Sequence, residues 1–149
     1  MASHSFTISS PLATQEAFDR LIDLERVPEW DDGVKASVRI GDMAETSPVG
    51  DRFDVIVTGF DGSPTSVVYE ITEAETPVHF VMVGENDEFR AVDTLTLGAT
   101  DAGSELTYLG TLELLGDEPP LTASQLESVF PKIAAAAEVG LRRFLDAAG

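Results

Sequence analysis

The sequence contains no cysteine. This excludes disulfide bonds, thiolate metal ligands and cysteine nucleophiles. The chain also lacks a run of about 18 apolar residues, the minimum for a membrane-spanning helix, so we expect no membrane span. The opening residues MASHSFTISS contain neither a basic segment nor an apolar run. We therefore expect no signal peptide and a cytoplasmic location.

Positive charge is scarce. Lysine and arginine number 9 against 27 aspartates and glutamates, which gives a net charge of -18. Because such a surface repels phosphate backbones and anionic headgroups, we expect no nucleic-acid partner. The acidic residues are scattered and are interpreted mainly as a solubility feature. The alternative is a cationic partner or a cation site.

Histidine is almost as rare as cysteine, since only His4 and His79 are present. No H-E-x-x-H motif, glycine-rich phosphate loop or nucleophile elbow occurs, so we expect no metal, no cofactor and no Ser-His-Asp triad. Two acidic segments, Asp31 with Asp32 and residues 85–88, lack the spacing of a calcium loop. They are interpreted as solvated loops.

The hydrophobic pattern predicts one domain over residues 1–149, with hydrophobic residues at 43%. A short strand and a helix that ends before Pro28 come first, then a series of alternating segments, then a long amphipathic helix. Thr14 is the expected cap of the first helix, and Thr122 with Gln125 forms a capping box before the last. Pro131 either kinks the last helix or begins its main part. The predicted strands are 4–9, 34–40, 52–58, 66–73, 78–83, 89–97 and 105–114, and the first helix is 15–25.

Closely spaced alternating segments joined by short turns pair as an antiparallel meander. One face of such a sheet needs a cover, and the last helix is the obvious one. That helix carries alanines at 134–137 and Gly140 where larger core residues are usual. Small residues permit either close packing on the sheet or empty volume beneath the helix, and we favour the volume.

Several segments together resemble a known superfamily. They are FTISSP, LERVPEW, PVGDRFDVIV, RAVDTLTL, GSELTYLGTLEL and PKIAAAAEVGLRRFL. The chain is similar to START-like (SRPBCC, Bet v 1-like) proteins, and most similar to their polyketide cyclase/dehydrase-type branch. The resemblance implies an α+β helix-grip fold, in which a curved antiparallel sheet of about seven strands, in β-α-β6-α order, wraps around a long C-terminal helix. It also implies an apolar cavity between sheet and helix.

Candidate site residues follow from this cavity. Trp30 fits either a cavity mouth or a plug that anchors the loop between helix and sheet. Asp93 shares the inward phase of its strand, where burial would raise its pKa and suit it to acid–base chemistry. Its alternative is an exposed position or a pair with Arg90. Tyr69 and Tyr108, also in inward phase, are either ligand-facing phenols or core aromatics. The candidate ligand-binding set is Trp30, Phe53, Val55, Tyr69, Phe80, Asp93, Tyr108, Phe130, Ile133, Ala137 and Leu141, and the candidate catalytic residues are Asp93, Tyr69 and Tyr108.

Three hypotheses on function follow. The first is a monomer or homodimer that binds a hydrophobic or amphipathic small molecule, such as a lipid or polyketide, in this cavity. The second is a polyketide cyclase, aromatase or dehydratase that uses the candidate catalytic residues. The third is a protein-interaction or stress-related module with a filled core, which predicts no ligand-sized cavity and an apolar patch outside.

Overall fold

The computed structural model describes residues 1–41 and 47–146. Within these residues, seven strands form a single antiparallel sheet in the order β1-β7-β6-β5-β4-β3-β2. The strands are β1 (Ala2–Ser10), β2 (Val34–Ile40), β3 (Arg52–Thr58), β4 (Pro64–Glu75), β5 (His79–Glu85), β6 (Phe89–Thr100) and β7 (Gly103–Leu114). The predicted helix-grip α+β architecture is confirmed, with strands β2 and β1 at the two edges.

Alternation of side chains sets the inner face of the sheet. In β7, Ser104, Leu106, Tyr108 and Gly110 are buried while the residues between them are exposed. Such a period of two is the pattern of a strand with one covered face. Register shifts at Val34/Ala36 and at Ile71/Glu73 mark irregularities in β2 and β4. Bulges of this kind bend a sheet, which helps it curve around a helix.

The first helical region differs from the prediction. Helix α1 runs over Thr14–Ile22, and a separate 3₁₀ helix runs over Leu24–Glu29 with Pro28 inside it. The two are divided at Asp23, whose backbone is not helical. The cap predicted at Thr14 is wrong, because Ala13 occupies the N-cap position and makes no side-chain hydrogen bond.

Helix α2 is continuous over Ala123–Phe144 and contains Pro131. The capping box is confirmed: the Thr122 hydroxyl accepts from the Gln125 backbone N–H at 3.1 Å, and the Gln125 side chain accepts from the Thr122 N–H at 2.8 Å. Of the two alternatives for Pro131, a break between separate helices is therefore wrong. Proline removes one helical hydrogen bond, here the one to the Glu127 carbonyl, and Glu127 is exposed, so water can reach that carbonyl.

Polar contacts hold the end of α2 against the first part of the chain. The buried Ser10 hydroxyl donates to the Leu145 carbonyl at 2.6 Å, and the Arg20 guanidinium donates to the Phe144 carbonyl at 2.9 Å. The Arg26 guanidinium also lies 4.8 Å from the centre of the Phe144 ring. Because the last carbonyls of a helix have no helical donor, these contacts cap α2 and fix its position.

The core divides into two clusters along α2. The larger cluster includes Phe18 of α1, Leu24 of the 3₁₀ helix and Leu141 of α2. The smaller cluster includes Phe89 of β6 and Phe130 near the start of α2. Tyr69 packs against both clusters. The candidate site lies where they meet.

Candidate functional site

Two adjoining cavities lie between the inner face of the sheet and the elements that cover it. The smaller has a volume of about 30 Å³ and lies under the 3₁₀ helix. The larger has a volume of about 110 Å³ and lies between β1, β7 and α2. Both have Asp31, Tyr69, Asp93 and Tyr108 in their walls. We call these residues the polar quartet.

The remaining walls are mostly apolar. Leu24, Val27, Trp30, Val34, Val55 and Met82 complete the smaller cavity. His4, Phe6, Ala91, Gly110, Thr111, Leu112, Phe130, Ile133, Ala134 and Ala137 complete the larger cavity. An apolar enclosure with a few converging polar groups is the usual composition of a small-molecule site. The volumes are small for such a site, since pockets for drug-sized ligands have volumes of roughly 300–1,000 Å³.

Three members of the quartet come from strands whose alternation points them inward: Tyr69 on β4, Asp93 on β6 and Tyr108 on β7. Glycines make room for them. Tyr69 pairs across the sheet with Gly84, where a Cβ would collide with the tyrosine ring. Asp93 pairs with Gly110, where a Cβ would lie 3.2 Å from Asp93 Oδ1 and 3.3 Å from the Tyr108 ring. The Tyr69, Asp93 and Tyr108 side chains therefore occupy space that a side chain at Gly84 or Gly110 would take.

The fourth member, Asp31, comes from the loop after the 3₁₀ helix. Its backbone N–H donates to the Val27 carbonyl at 2.9 Å, and its Oδ1 accepts from the Gly33 N–H at 2.9 Å. These bonds hold the carboxylate over the sheet. The interpretation of Asp31 as part of a solvated loop is wrong for this residue, although Asp32 beside it is exposed. Only its position next to Trp30 gave a signal in the sequence.

Trp30 lies inside the protein, with 2% of its surface exposed. Its ring meets the Tyr108 ring edge to face, with 6.4 Å between the ring centres, and it lines the smaller cavity. A Cβ on Gly140 of α2 would collide with the Trp30 carbonyl. The predicted position at the cavity mouth is therefore wrong, and the alternative of an anchor between helix and sheet fits these contacts.

Burial sets the protonation of the quartet. Desolvation raises the pKa of Asp93 to about 7, the nearby Asp31 charge adds to the rise, and the Tyr108 hydroxyl opposes it by hydrogen bonding to the carboxylate. Desolvation is also the main cause of a raised pKa at Asp31 and of pKa values well above the usual at Tyr69 and Tyr108. Near neutral pH, Asp93 can therefore both accept and give up a proton, while the tyrosines act as neutral hydroxyls.

The cavities contain no positive side chain from the described residues to balance the negative charges of Asp31 and Asp93. No lysine or arginine of residues 1–41 and 47–146 lines either cavity. Arg90, the partner considered for Asp93, instead approaches Glu85 at 3.5 Å, so that alternative is wrong. The quartet thus places two carboxyl groups and two phenols in the cavity walls without a lysine or arginine of the described ranges beside them.

The sequence-predicted binding residues divide into four groups. Tyr69, Asp93 and Tyr108 line both cavities, Trp30 and Val55 line the smaller, and Phe130, Ile133 and Ala137 line the larger. Phe53, Phe80 and Leu141 are fully buried in the core and are absent from both walls. For these three residues the predicted wall position is corrected: they share the inner face, but neighbouring side chains cover them directly. Phe53 packs against the Arg39 guanidinium, for example, and Phe80 packs against Phe18.

Access to the larger cavity lies beside the middle of α2. None of the six described residues 131–136 is buried, in contrast to Phe130 before them and Ala137 after them. Ile133 is 45% exposed although it lines the cavity. This stretch, which includes the small residue Ala134, leaves the cavity open between α2 and the strands β1 and β7.

Comparisons with known proteins support the fold. No family model matches the sequence, and no curated protein matches it. Among solved structures, Ara h 8.0201 is 17% identical, with a TM-score of 0.64 over 97% of this chain and 99% of that chain. A START superfamily protein from Mycobacterium smegmatis is 10% identical, with a TM-score of 0.76 over 97% of this chain and 95% of that one.

A third solved structure is the di-domain ARO/CYC StfQ from the steffimycin biosynthetic pathway. It is 16% identical, with a TM-score of 0.72 over 96% of this chain and 49% of that chain. At these identities the likeness shows the fold, and the chain therefore has the START-like, helix-grip fold.

Two other kinds of feature are absent from the part of the chain that the structure describes. No group of three or more histidine, cysteine, aspartate or glutamate side chains there is placed to hold a metal ion. No helix there combines the length and the apolar character needed to cross a membrane.

Proposed function

We propose that the protein binds a hydrophobic or amphipathic small molecule in the larger cavity. The observation that carries the proposal is the polar quartet at the end of an apolar space between sheet and α2. Apolar surface buried by the ligand supplies binding free energy at roughly 25 cal/mol per Å². The Tyr69 hydroxyl and the Asp93 carboxyl orient its polar group.

The cavity volume limits the ligand in this conformation. About 110 Å³ holds a short chain or a single ring, and a larger ligand requires α2 to move away from β1 and β7. The exposed middle of α2 is the place for such a movement, because residues 131–136 have little packing to lose. The Tyr108 ring borders both cavities, so its rotation would also join the two volumes.

A series of straight-chain alcohols tests this proposal. Trp30 is the only tryptophan and lines the adjoining cavity, so its fluorescence reports occupancy. Each added methylene should increase affinity about fourfold, from about 0.8 kcal/mol per buried CH₂, until the cavity is full. The chain length at which the increase stops measures the capacity of the cavity. Fluorescence that does not saturate with any alcohol would contradict the proposal.

Two matched variants show whether the response comes from this cavity. Ala137→Leu fills space in the larger cavity, whereas Ala136→Leu adds the same atoms on the exposed side of α2. Alanine and leucine have similar helix propensities, so both helices should form equally well. We expect Ala137→Leu to shorten the longest alcohol that binds and to weaken binding at least tenfold. Ala136→Leu should leave both unchanged.

The second candidate function is an enzyme of the cyclase or dehydratase type. Asp93 favours it, because a carboxyl with a pKa of about 7 suits general acid–base catalysis near neutral pH. The fold of StfQ, described as an ARO/CYC, agrees with this candidate. An enzyme predicts that Asp93→Asn abolishes turnover of a polyketide-like substrate while affinity stays within a few-fold. Equal loss of turnover and affinity would assign Asp93 to binding alone.

A further inference from the structure

The polar quartet has an unusual balance of charge for an enclosed site. It holds two carboxyl groups, from Asp31 and Asp93, and two phenols. The groups that face Asp93 are Tyr69 on β4, Tyr108 on β7 and Asp31 on the loop after the 3₁₀ helix, and His4 on β1 also lines the larger cavity. The α2 residues of the walls, Phe130, Ile133, Ala134 and Ala137, carry no charge.

Two carboxyl groups that share an apolar enclosure repel each other when both are ionised, and each loses hydration. A buried arginine or lysine usually offsets this cost, but none in the described ranges lines either cavity. Asp31 receives one backbone hydrogen bond and Asp93 interacts with one hydroxyl. A positive charge from outside the chain would offset the cost.

Aromatic rings surround the same groups. Tyr108 stacks on Phe6 with 5.1 Å between ring centres and meets Trp30 edge to face. The Tyr69 ring lies over Gly84 and borders both cavities. Faces of tryptophan and tyrosine attract ammonium groups, and the attraction strengthens when water is excluded. Carboxylates and aromatic rings are the groups that recognise organic ammonium ions, and the α2 side of the larger cavity is apolar.

We propose that the ligand of this cavity is a cationic amphiphile, in which an ammonium group lies against Asp31, Asp93 and the tyrosine rings and an apolar chain or ring lies under α2. This inference rests on the proposed binding function and specifies its ligand class. If the inference is right, the cavity binds cations more tightly than neutral ligands of the same size. In a site for neutral ketones or alcohols, a protonated Asp93 would instead donate a hydrogen bond to the ligand.

Three ligands of equal length and different charge test the inference. Hexylamine is positively charged, hexan-1-ol is neutral and hexanoate is negative at about pH 8, as their lysine-like and carboxylic groups imply. Binding is followed by Trp30 fluorescence and by isothermal titration calorimetry. We expect hexylamine to bind at least tenfold more tightly than hexan-1-ol, and hexanoate to bind more weakly than both.

The pH dependence distinguishes the two uses of Asp93. A cation binds the ionised carboxylates, so the preference for hexylamine should decline as pH falls from about 8 to about 5. Asp93→Asn should reduce the preference for hexylamine over hexan-1-ol at least fivefold, because it removes a carboxylate that attracts the cation and not the alcohol. The control Asp117→Asn removes the same charge from an exposed position and should keep the wild-type preference, which excludes a general effect of the acidic surface.

The outcomes separate this inference from the proposed function. If hexan-1-ol binds as tightly as hexylamine, or more tightly at low pH, the cavity is real but the cationic ligand class is overturned. If Asp117→Asn lowers the preference as much as Asp93→Asn, the preference belongs to the surface charge and the inference also fails. If none of the three ligands binds, the proposed function fails as well.

Discussion

In both proposed functions, the chemistry of the site depends on Asp93. Its phase in β6, two residues from Ala91 and two from Leu95, predicted an inward carboxyl, and the structure places it in the walls of both cavities. Apolar surroundings favour its protonated form, which raises the pKa to about 7. We expect this carboxyl to lower the stability of the folded protein above neutral pH, and perturbed carboxyl groups of this kind cluster at functional sites.

The pH dependence of unfolding tests the burial of the Asp93 carboxyl. An unfolded aspartate has a pKa of about 3.9, so between about pH 4 and pH 7 the folded protein holds a proton that the unfolded chain has released. The contribution of Asp93 to the free energy of unfolding should fall through that window and stay low above it. Asp93→Asn should therefore stabilise the protein at about pH 8, by at most about 4 kcal/mol, and have little effect at about pH 4.

Urea unfolding of wild type and Asp93→Asn at both pH values measures the difference. Asp117→Asn, on the exposed surface, controls for the loss of one negative charge. Parallel stability curves for wild type and Asp93→Asn would show that the carboxyl titrates as it does in water, which would contradict a raised pKa at this position.

The sequence predicted three of the four quartet residues and missed the fourth for a physical reason. Tyr69, Asp93 and Tyr108 lie on strands, where alternation determines the face on which a side chain lies. Asp31 lies on a loop, where no period applies, and its orientation depends on hydrogen bonds to Val27 and Gly33. Such bonds are visible only in the folded structure.

Helix α2 combines close packing at one point with open space at another. Near its C-terminal end, Gly140 lets the helix backbone approach the Trp30 carbonyl. In its middle, none of the described residues 131–136 is buried. The small residues of this helix therefore serve both of the purposes considered from the sequence: close approach at Gly140 and volume beside Ala134 and Ala137.

Gly140→Ala tests this packing, because close packing and ordinary helix propensity predict opposite changes in the free energy of unfolding. Within a helix, glycine to alanine normally stabilises by about 1 kcal/mol. Here the added Cβ meets the backbone of Trp30, so helix or loop must shift, at a cost of about 1–3 kcal/mol or more. We expect a lower free energy of unfolding and altered Trp30 fluorescence.

The adjacent variant Val139→Ala supplies the control, since Val139 is 63% exposed and its replacement should be neutral or slightly stabilising. If Gly140→Ala stabilised the protein as strongly as an ordinary helical glycine replacement, the close approach to Trp30 would be disproved.

Element boundaries were harder to predict than element types. Strands β4 and β6 extend beyond the predicted 66–73 and 89–97, to Pro64–Glu75 and Phe89–Thr100. Pairing with neighbouring strands extends them through residues without a hydrophobic pattern, such as Thr100 opposite Gly103. Helix α1 ends at Ile22, before the predicted end at residue 25, so Pro28 does not end it. Pro28 instead lies inside the 3₁₀ helix, whose residues Leu24 and Val27 belong to the core.

The net charge of -18 affects the molecule as a whole. Mutual repulsion of the carboxylates opposes compaction, and added salt screens it as the Debye length falls from about 30 Å at 0.01 M to about 8 Å at 0.15 M. We expect the melting temperature to rise by a few degrees over this range of sodium chloride, measured at about pH 8 by calorimetry. A constant or falling melting temperature would show that repulsion between surface carboxylates contributes little to the stability of the folded protein.

Fold and cavity were not equally predictable. The order of elements and the faces of the strands followed from periodicity, and the helix-grip fold was confirmed. The residues of the cavity wall could not be predicted in the same way. Alternation tells which face of the sheet a side chain lies on, but not how far that face is from the helix that covers it. Phe53 and Phe80 face inward like Tyr69, yet they are sealed by Arg39 and Phe18 while Tyr69 borders open space.

A map of where a small ligand binds is the sharpest test of the proposed cavity. Amide chemical shifts of the isotope-labelled protein, recorded by NMR during titration with hexan-1-ol, locate the site without any mutation. We expect saturating shifts at Tyr69, Asp93, Gly110 and Ala137, around the larger cavity, with small changes at the exposed residues Asp117 and Val139. Shifts that stay linear with concentration, or that cluster on the outer face of the sheet, would contradict a binding cavity beneath α2.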